Sequence, residues 1–505
     1  MTMLKEVLSM MFLLSFVVIS LGVRFRPLQV NPALGIDNWY WLLCIEDVKK
    51  YRRIPARLPY FMLEEEEQWY PPLYSFIMSF FPMEVLKKHA GQLAQAMDLV
   101  NGMMIFLSVL WVSGNLLLAA ISAFSYSLAF LPLTYNNQLQ PRGVANVVLT
   151  LAVFGTWFFL ASGGWLLWTG VLALSVILLF LHKMTAQMWA VYLLGFGLWA
   201  RDWTVPALLP ASMLVAVFVS KGFYFKILKA HWDIVSFWHA NIDHLGSHQY
   251  YESVRYGNPT FSSTAAHQRG VRHAMGKGLS LFQYNVYILM LPILLLAARL
   301  HPSSPMEGFL WCWLGMTYFW TLLTTFVPPL KTLGAGCYYL YQSYTPLFLL
   351  VSLALQHLSG TSQGLHYVLW GMALFISGAL WVKYCRTSRK KSGDHTDLNR
   401  VLDYLKTQPK DGVFCIPFTL PDITAYWTRK RVFWGGHGFG FNKWLKPYFP
   451  VMRQSVLETL LKEPLNYVLF WKKYLNSLED IGLRVDRDLR FLFGQGEYEL
   501  YEVVK

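Results

Sequence analysis

Charge is what this sequence has least of. Asp, Glu, Lys and Arg make up 14% of its 505 residues, against about 25% in a soluble globular chain, so a water-facing surface along the whole chain is excluded. Cysteine is scarce and scattered: Cys44, Cys312, Cys337, Cys385 and Cys415 form no CxxC pair, which gives neither a metal site nor a disulfide framework. No internal repeat is visible, which weighs against transporter architectures built from duplicated halves. The run Gly435-Gly436-His437-Gly438-Phe439-Gly440 is not a dinucleotide fingerprint, because it does not open a long helix with G-x-G-x-x-G spacing. It reads as a turn.

What is present is apolar. Hydrophobic residues are 55% of the chain and aromatic ones 17%, with a mean hydropathy of +0.35. They lie in long runs of the length a bilayer core requires. The first, Val7 to Val23, ends in Val-Arg-Phe-Arg without a small-x-small cleavage site, so it reads as a retained span rather than a signal peptide. Further spans fall near 93–112, 115–132, 143–161, 165–181, 187–200, 203–219, 279–298, 308–327, 336–356 and 366–385. The expected fold is therefore an α-helical polytopic membrane protein of about eleven transmembrane helices, with domain 1–385 followed by a linker at 386–393 and a soluble α/β domain at 394–505. In that last domain Val413–Phe418, Arg431–Trp434 and Tyr467–Phe470 read as strands, and 397–407 and 452–462 as helices. Leu489–Phe493, Gly-Gln-Gly and Tyr498–Val504 read as a closing hairpin. Two long loops, 24–92 and 220–278, then share one face with the terminal domain, the working face.

The net charge of +14 is spread between apolar runs rather than gathered in one domain. That pattern points away from nucleic acid and toward membrane lipid headgroups or phosphate-bearing substrates. Just beyond the first span stands Gly35-Ile36-Asp37-Asn38-Trp39-Tyr40-Trp41-Leu42. A carboxylate at the membrane edge, followed by an aromatic surface helix, suits a lipid-linked substrate: Asp37 can take the proton of an acceptor hydroxyl attacking a sugar. The plainer reading is that Asp37 caps the helix over 38–52, whose far end carries Lys49, Lys50, Arg52 and Arg53 before Pro55. Next come Glu64 to Glu67, an acidic run of the kind that usually forms a solvated face, and Tyr70-Pro71-Pro72-Leu73, whose prolines fix the chain's entry into a short apolar segment.

An Asp soon after the first helix, a surface helix and then Tyr-Pro-Pro-Leu resemble the C-type glycosyltransferase superfamily, which includes protein mannosyltransferases, oligosaccharyltransferase catalytic subunits and bacterial lipid A sugar transferases. Lys331 ahead of Tyr338-Tyr339-Leu340-Tyr341-Gln342-Ser343-Tyr344-Thr345-Pro346-Leu347 is similar to the entry of a late helix in many members. The ending Gly496-Glu497-Tyr498-Glu499-Leu500-Tyr501 resembles the closing strand of their external domains. The resemblance implies a sugar moved from a polyprenyl-phosphate donor to a lipid, glycan or protein acceptor at the external face of a bacterial inner membrane. It implies an inverting hexosyl- or pentosyltransferase, with Asp37 as the catalytic or acceptor-binding acid. Many members carry a second acid in the loop that here reads Pro132 to Arg142, often to hold a divalent metal; this loop has none. Asp98, two turns inside the second span, is the candidate substitute, since a charge at that depth is functional or paired.

Cations for the donor phosphate are Arg142, His182, Lys183 and Lys331, all at working-face ends of spans; lipid anchoring accounts for the same positions. Trp39, Trp41 and Tyr70 are candidates to stack on sugar or lie against lipid, as interfacial aromatics also do, and Tyr341 is a further substrate-binding candidate. His231, His239, His244 and His248 with Asp233 and Asp243 could ligate a divalent metal from one helix face, or simply line a loop. The short working-face loops carry more Lys and Arg, which would place that face in the cytoplasm, whereas the resemblance places it outside; the external placement is adopted here. A transporter or flippase for lipid-linked saccharides, or a non-catalytic binder of them, are the competing classes.

Overall fold

The computed structural model describes residues 2–30, 37–55, 58–61, 70–242, 271–300, 304–391, 396–435, 440–449, 452–475 and 477–505. Contacts divide the chain into two compact units: Met1–Leu34, Lys88–Tyr224 and Val271–Ser392 in the first, Gly35–Lys87, Phe225–Gly270 and Gly393–Lys505 in the second. In chain order the helices begin with α1 (Thr2–Val30), α2 (Asp37–Tyr51), α3 (Leu73–Met78) and α4 (Met83–Ser113). There follow α5 (Leu116–Ser127), α6 (Phe130–Tyr135), α7 (Arg142–Ser162), α8 (Trp165–Leu181), α9 (Lys183–Ala200), α10 (Leu208–Val219) and α11 (Phe223–Ala240). Beyond the second long loop lie α12 (Val271–Tyr284), α13 (Leu291–Leu300), α14 (Pro305–Phe326), α15 (Tyr344–His357) and α16 (Gly360–Lys391).

The first unit is built from these apolar helices, and α1 shows why they need lipid. Phe16, Ser20, Arg24 and Leu28 recur every four residues and are all buried, so they form one inward row. Met10, Leu14 and Val18, on the opposite row, are 72%, 66% and 62% exposed. Water would penalise such a stripe by the hydrophobic effect, whereas hydrocarbon does not. Four helices are long and apolar enough to cross a membrane, or up to six if each of two bent pairs is one span. The bent pairs are Leu208–Val219 with Phe223–Ala240 and Ala274–Tyr284 with Val286–Leu300, so much of the stretch 220–278, expected as a loop, is helical.

Local sequence sets where several helices start. Ser304 and Glu307 form a reciprocal capping box at the head of α14, with Pro305 at its first position. Asn115 caps α5 by accepting from the Leu118 N–H at 3.1 Å. His182 caps α9, its Nδ1 accepting from the Thr185 N–H at 3.3 Å. Between α14 and α15 the chain runs through two 3-10 segments, Pro328–Leu333 and Gly336–Ser343. The second packs tightly on α14: a Cβ on Gly336 would stand 2.6 Å from the Thr321 carbonyl oxygen.

The second unit joins α2, α3 and all but the start of α11 to α17 (Thr396–Thr407), α18 (Pro421–Thr428), α19 (Val456–Lys462) and a four-stranded sheet. The strands are β1 (Val413–Ile416), β2 (Tyr467–Trp471), β3 (Leu489–Gln495) and β4 (Tyr498–Val503), in the order β1-β2-β4-β3. β1 and β2 are parallel, and β4 is antiparallel to both β2 and β3. Gly496, at φ +55°, turns the β3–β4 hairpin. Arg431–Trp434, expected as a strand, is not one: only Val432 pairs, in isolated bridges to Phe61 and Val413. Segment 58–61 thus lies beside the sheet, a long-range pairing that a local apolar pattern does not encode. The aromatic run of α2 is core: Trp41 stacks edge-on against Tyr70 at 4.9 Å and Tyr74 at 5.2 Å.

Candidate functional site

In the first unit two helix beginnings border one pocket. Its lining includes Arg142, the first residue of α7, and His182, Met184 and Thr185 from the start of α9. The remaining wall is aromatic: Tyr135 from α6, with Tyr338, Tyr339 and Tyr341 from the 3-10 segment, and Gln342 beside them. The empty space between these side chains, its solvent-open mouth included, is about 330 Å³. Helix beginnings carry partial positive charge and unsatisfied N–H groups, and two of them with a guanidinium suit an anion.

Side-chain geometry shapes this pocket further. The Arg142 guanidinium carbon lies 4.0 Å from the Tyr135 ring centre and 5.5 Å from that of Tyr338. Those rings are themselves 3.9 Å apart, so the cation rests on an aromatic pair. His182 accepts at Nδ1 as the α9 cap, which leaves its ring proton on Nε2 as a donor. The Tyr339 hydroxyl is held by Gln187 Oε1 at 2.5 Å and the Leu333 carbonyl at 3.2 Å. Of the residues singled out from sequence, the pocket brings together Arg142, His182 and Tyr341. Lys183 follows the cap at the head of α9, and Lys331 lies in Pro328–Leu333; both are half-buried and neither is among the described lining residues. Tyr135, Tyr338 and Thr185 were missed as site residues, although Tyr135 and Tyr338 stood inside stretches already marked; no signal separates a pocket tyrosine from an interfacial one.

Asp98 is fully buried and forms an ion pair with Arg24, itself fully buried. Its Oδ1 accepts from the Tyr126 hydroxyl at 2.7 Å, from the Tyr341 hydroxyl, and from Asn101 Nδ2 at 3.4 Å. Gly143 lets the start of α7 lie directly on α4 here: a Cβ would stand 3.3 Å from the Asp98 nitrogen. Arg24 also donates to Gln95 Oε1 at 3.2 Å and to the Tyr126 carbonyl at 3.3 Å. With donors at both oxygens, this carboxylate is arranged to hold neighbours rather than to receive a substrate proton. Arg24 was missed because its position at the end of the first apolar run resembles an ordinary lipid anchor.

Asp37, Trp39 and Tyr70 belong to the second unit. Asp37 opens α2, where a carboxylate faces the positive end of the helix, and is half-buried. Trp39 packs against Tyr426 at 5.2 Å and Trp427 at 6.5 Å, while Tyr70 is buried in the aromatic core of α2. Further along the same helix, Glu46 pairs with Arg429 and, at 3.5 Å, with Lys87. Asp47 is buried, accepting at Oδ1 from the Tyr60 hydroxyl at 2.9 Å, and among the described residues Oδ2 has no hydrogen-bond partner. Burial raises its pKa above the usual carboxylate value, and the Tyr60 bond only partly opposes that.

Among the described residues no group of three or more His, Cys, Asp or Glu is arranged to hold a metal. Asp233 binds protein instead, accepting from the Phe441 N–H at 2.7 Å and from Asn442 Nδ2 at 2.8 Å. Asp243, His244 and His248, the glutamates 64–67, and 436–439 of the glycine-rich run lie outside the described residues.

No protein-family model and no curated protein sequence matches the chain. Solved structures do. ArnT from Cupriavidus metallidurans in the apo state superposes with a TM-score of 0.60 at 11% identity, covering 97% of each chain. ArnT from the same organism bound to undecaprenyl phosphate gives 0.56 at 11% identity, over 97% of this chain and 98% of that one. The Archaeoglobus fulgidus oligosaccharyltransferase tethered to an acceptor peptide gives 0.57 at 11% identity, over 91% of this chain and 69% of that one. At such identity the likeness speaks of fold, and it spans nearly the whole sequence: this chain has the C-type glycosyltransferase fold.

Proposed function

We propose that this protein is an integral membrane glycosyltransferase that moves a sugar from a polyprenyl-phosphate donor to a lipid, glycan or protein acceptor. One observation carries the reading: the starts of α7 and α9 and the Arg142 guanidinium border the same pocket. A phosphate oxyanion is the ligand such a wall suits. Support also comes from the relatives of like fold, one of which was solved with undecaprenyl phosphate and one with an inhibitory peptide and a dolichol-phosphate.

In this reaction the acceptor hydroxyl attacks the anomeric carbon as the bond from that carbon to the phosphate oxygen breaks, inverting the centre. The hydroxyl proton passes to a base, for which Asp37 is our candidate. The leaving polyprenyl phosphate gains negative charge as the bond opens. Arg142, with the N–H groups at the head of α9, meets that growing charge, and Lys183 and Lys331 add to the field, so the cations favour the transition state over the bound donor. We further propose about eleven membrane crossings, a tail domain at 394–505 on the external side, and transfer at that face of a bacterial inner membrane.

Two variants test this with purified protein in lipid nanodiscs. Arg142→Ala is expected to weaken binding of undecaprenyl phosphate at least tenfold, the scale of a lost charge-assisted hydrogen bond. Asp37→Asn is expected to keep that binding and lose transfer from radiolabelled polyprenyl-phosphate sugars. Unchanged binding in Arg142→Ala would remove the phosphate site; unchanged turnover in Asp37→Asn would remove that carboxylate from the chemistry.

A further inference from the structure

The Arg24–Asp98 pair reaches two walls of the pocket by separate routes. The direct route is Tyr341, which lines the pocket and donates its hydroxyl proton to Asp98 Oδ1. The oxygen of that hydroxyl in turn accepts from Asn136 Nδ2 at 2.8 Å. The second route runs through Gln95, which takes a bond from Arg24 and donates from Nε2 to the Leu133 carbonyl at 2.9 Å. Leu133 lies in α6, and two residues on is Tyr135, the ring on which Arg142 rests.

The chemistry of this arrangement limits what Tyr341 can do. A phenol has one proton to give, and here it is given to a fully buried carboxylate. Tyr341 therefore offers an anion no hydrogen bond and serves as a rigid wall, its ring orientation set by Asp98. Stability alone does not call for charge at such a place, since a buried ion pair is no more stable than well-packed apolar side chains of the same volume. A carboxylate with donors on both oxygens has something else to offer, namely a fixed direction for each partner.

We propose that Asp98, with Arg24 as its counter-ion, is a positioning residue for the donor site: it orients Tyr341 directly and Tyr135 through Gln95 and α6. This rests on the phosphate-pocket reading above. The Asp98 carboxylate does not touch substrate; its effect reaches the donor through the two tyrosine rings.

The test is a cycle of variants read by donor KM, kcat and equilibrium binding of undecaprenyl phosphate in nanodiscs. Tyr341→Phe keeps the ring and deletes its anchoring bond; donor KM is expected to rise three- to tenfold with kcat changed less than twofold. The pair Arg24→Met with Asp98→Leu, which removes both charges and the acceptor for Tyr341 while keeping bulk, is expected to give the same rise. Adding Tyr341→Phe to that pair is expected to give no further rise, because the same interaction is already gone. Tyr287→Phe deletes another buried hydroxyl, one that donates to the Ser125 carbonyl at 2.7 Å; it is expected to lower thermal stability without moving donor KM. Should the charge-free pair fail to fold, Asn136→Leu, which leaves Tyr341 held from one side only, stands in for it and is expected to raise KM likewise. A wild-type KM in Tyr341→Phe, or effects that multiply in the triple variant, would overturn the positioning role while leaving the pocket intact. Loss of the pocket reading shows separately, as undiminished undecaprenyl phosphate binding in Arg142→Ala.

Discussion

At the scale of single residues, two buried aspartates show opposite solutions to the same cost. Asp98 is surrounded by donors and a guanidinium, whereas Asp47 has one tyrosine bond and, among the described residues, no donor at its second oxygen. Burial holds the Asp47 pKa above its unfolded value, so the folded state binds the proton more tightly than the unfolded one. Stability is therefore fullest when Asp47 is protonated and falls as pH rises through its raised pKa. Asp47→Asn, which keeps an acceptor for Tyr60 and carries no charge, is expected to flatten that decline: its thermal midpoint should exceed the wild type's at neutral pH, and the gap should close as pH falls toward the ordinary carboxylate range. A midpoint difference independent of pH would refute the assignment. Both acids stood plainly in the sequence, but Asp98 takes partners 74 and 243 positions away. Depth and charge could mark Asp98 as paired or functional; spacing along one chain could not tell which.

At the scale of elements, the pocket depends on how the segment Gly336–Ser343 seats on α14. The absence of a side chain at Gly336 allows it, since a Cβ there would meet the Thr325 hydroxyl and the Thr321 carbonyl at 2.1 and 2.6 Å. Gly336→Ala is expected to lift the segment, moving Tyr338, Tyr339 and Tyr341 together. The overpacking cost is about 1–3 kcal/mol, and undecaprenyl phosphate binding should weaken with it; a variant of wild-type stability and binding would show that the seating is looser than the geometry implies. Helices such as α7, α8 and α14 were legible because an unbroken apolar run of bilayer length has few alternative readings. The 3-10 segments were not, because Gly336–Ser343 lies within a run that reads as the beginning of a membrane helix and bends only through packing. Strand-like 431–434 failed for the converse reason: its apolar residues are buried by neighbours, yet its ladder goes no further than the single bridges of Val432 to Phe61 and Val413.

At the scale of the whole molecule, the chain solves the membrane problem helix by helix, placing polar residues inward and bare hydrocarbon outward. The two rows of α1 make this quantitative. Leu14, 66% exposed in the middle of the outer row, should tolerate any large apolar residue. Leu14→Arg is expected to oppose insertion by about 2.5–3.5 kcal/mol, read as a smaller glycosylated or protease-protected fraction in a microsomal insertion assay. An undiminished inserted fraction would mean that this face does not meet lipid. Composition alone made the membrane legible, since so few charges cannot clothe a water-facing surface. The assembly of segments 35–87, 225–270 and 393–505 into one unit was not legible, because contacts between distant loops leave no periodic trace.

The paired rings beneath Arg142 have one more consequence. Tyr135 and Tyr338 come from stretches two hundred residues apart in sequence, and the guanidinium lies against both. Any ligand that grips Arg142 therefore also favours the state in which those stretches are clasped, and by reciprocity a clasped pair receives the ligand more readily. Occupancy and local order are in this way two readings of a single equilibrium, so the protein with this pocket empty would be the looser molecule.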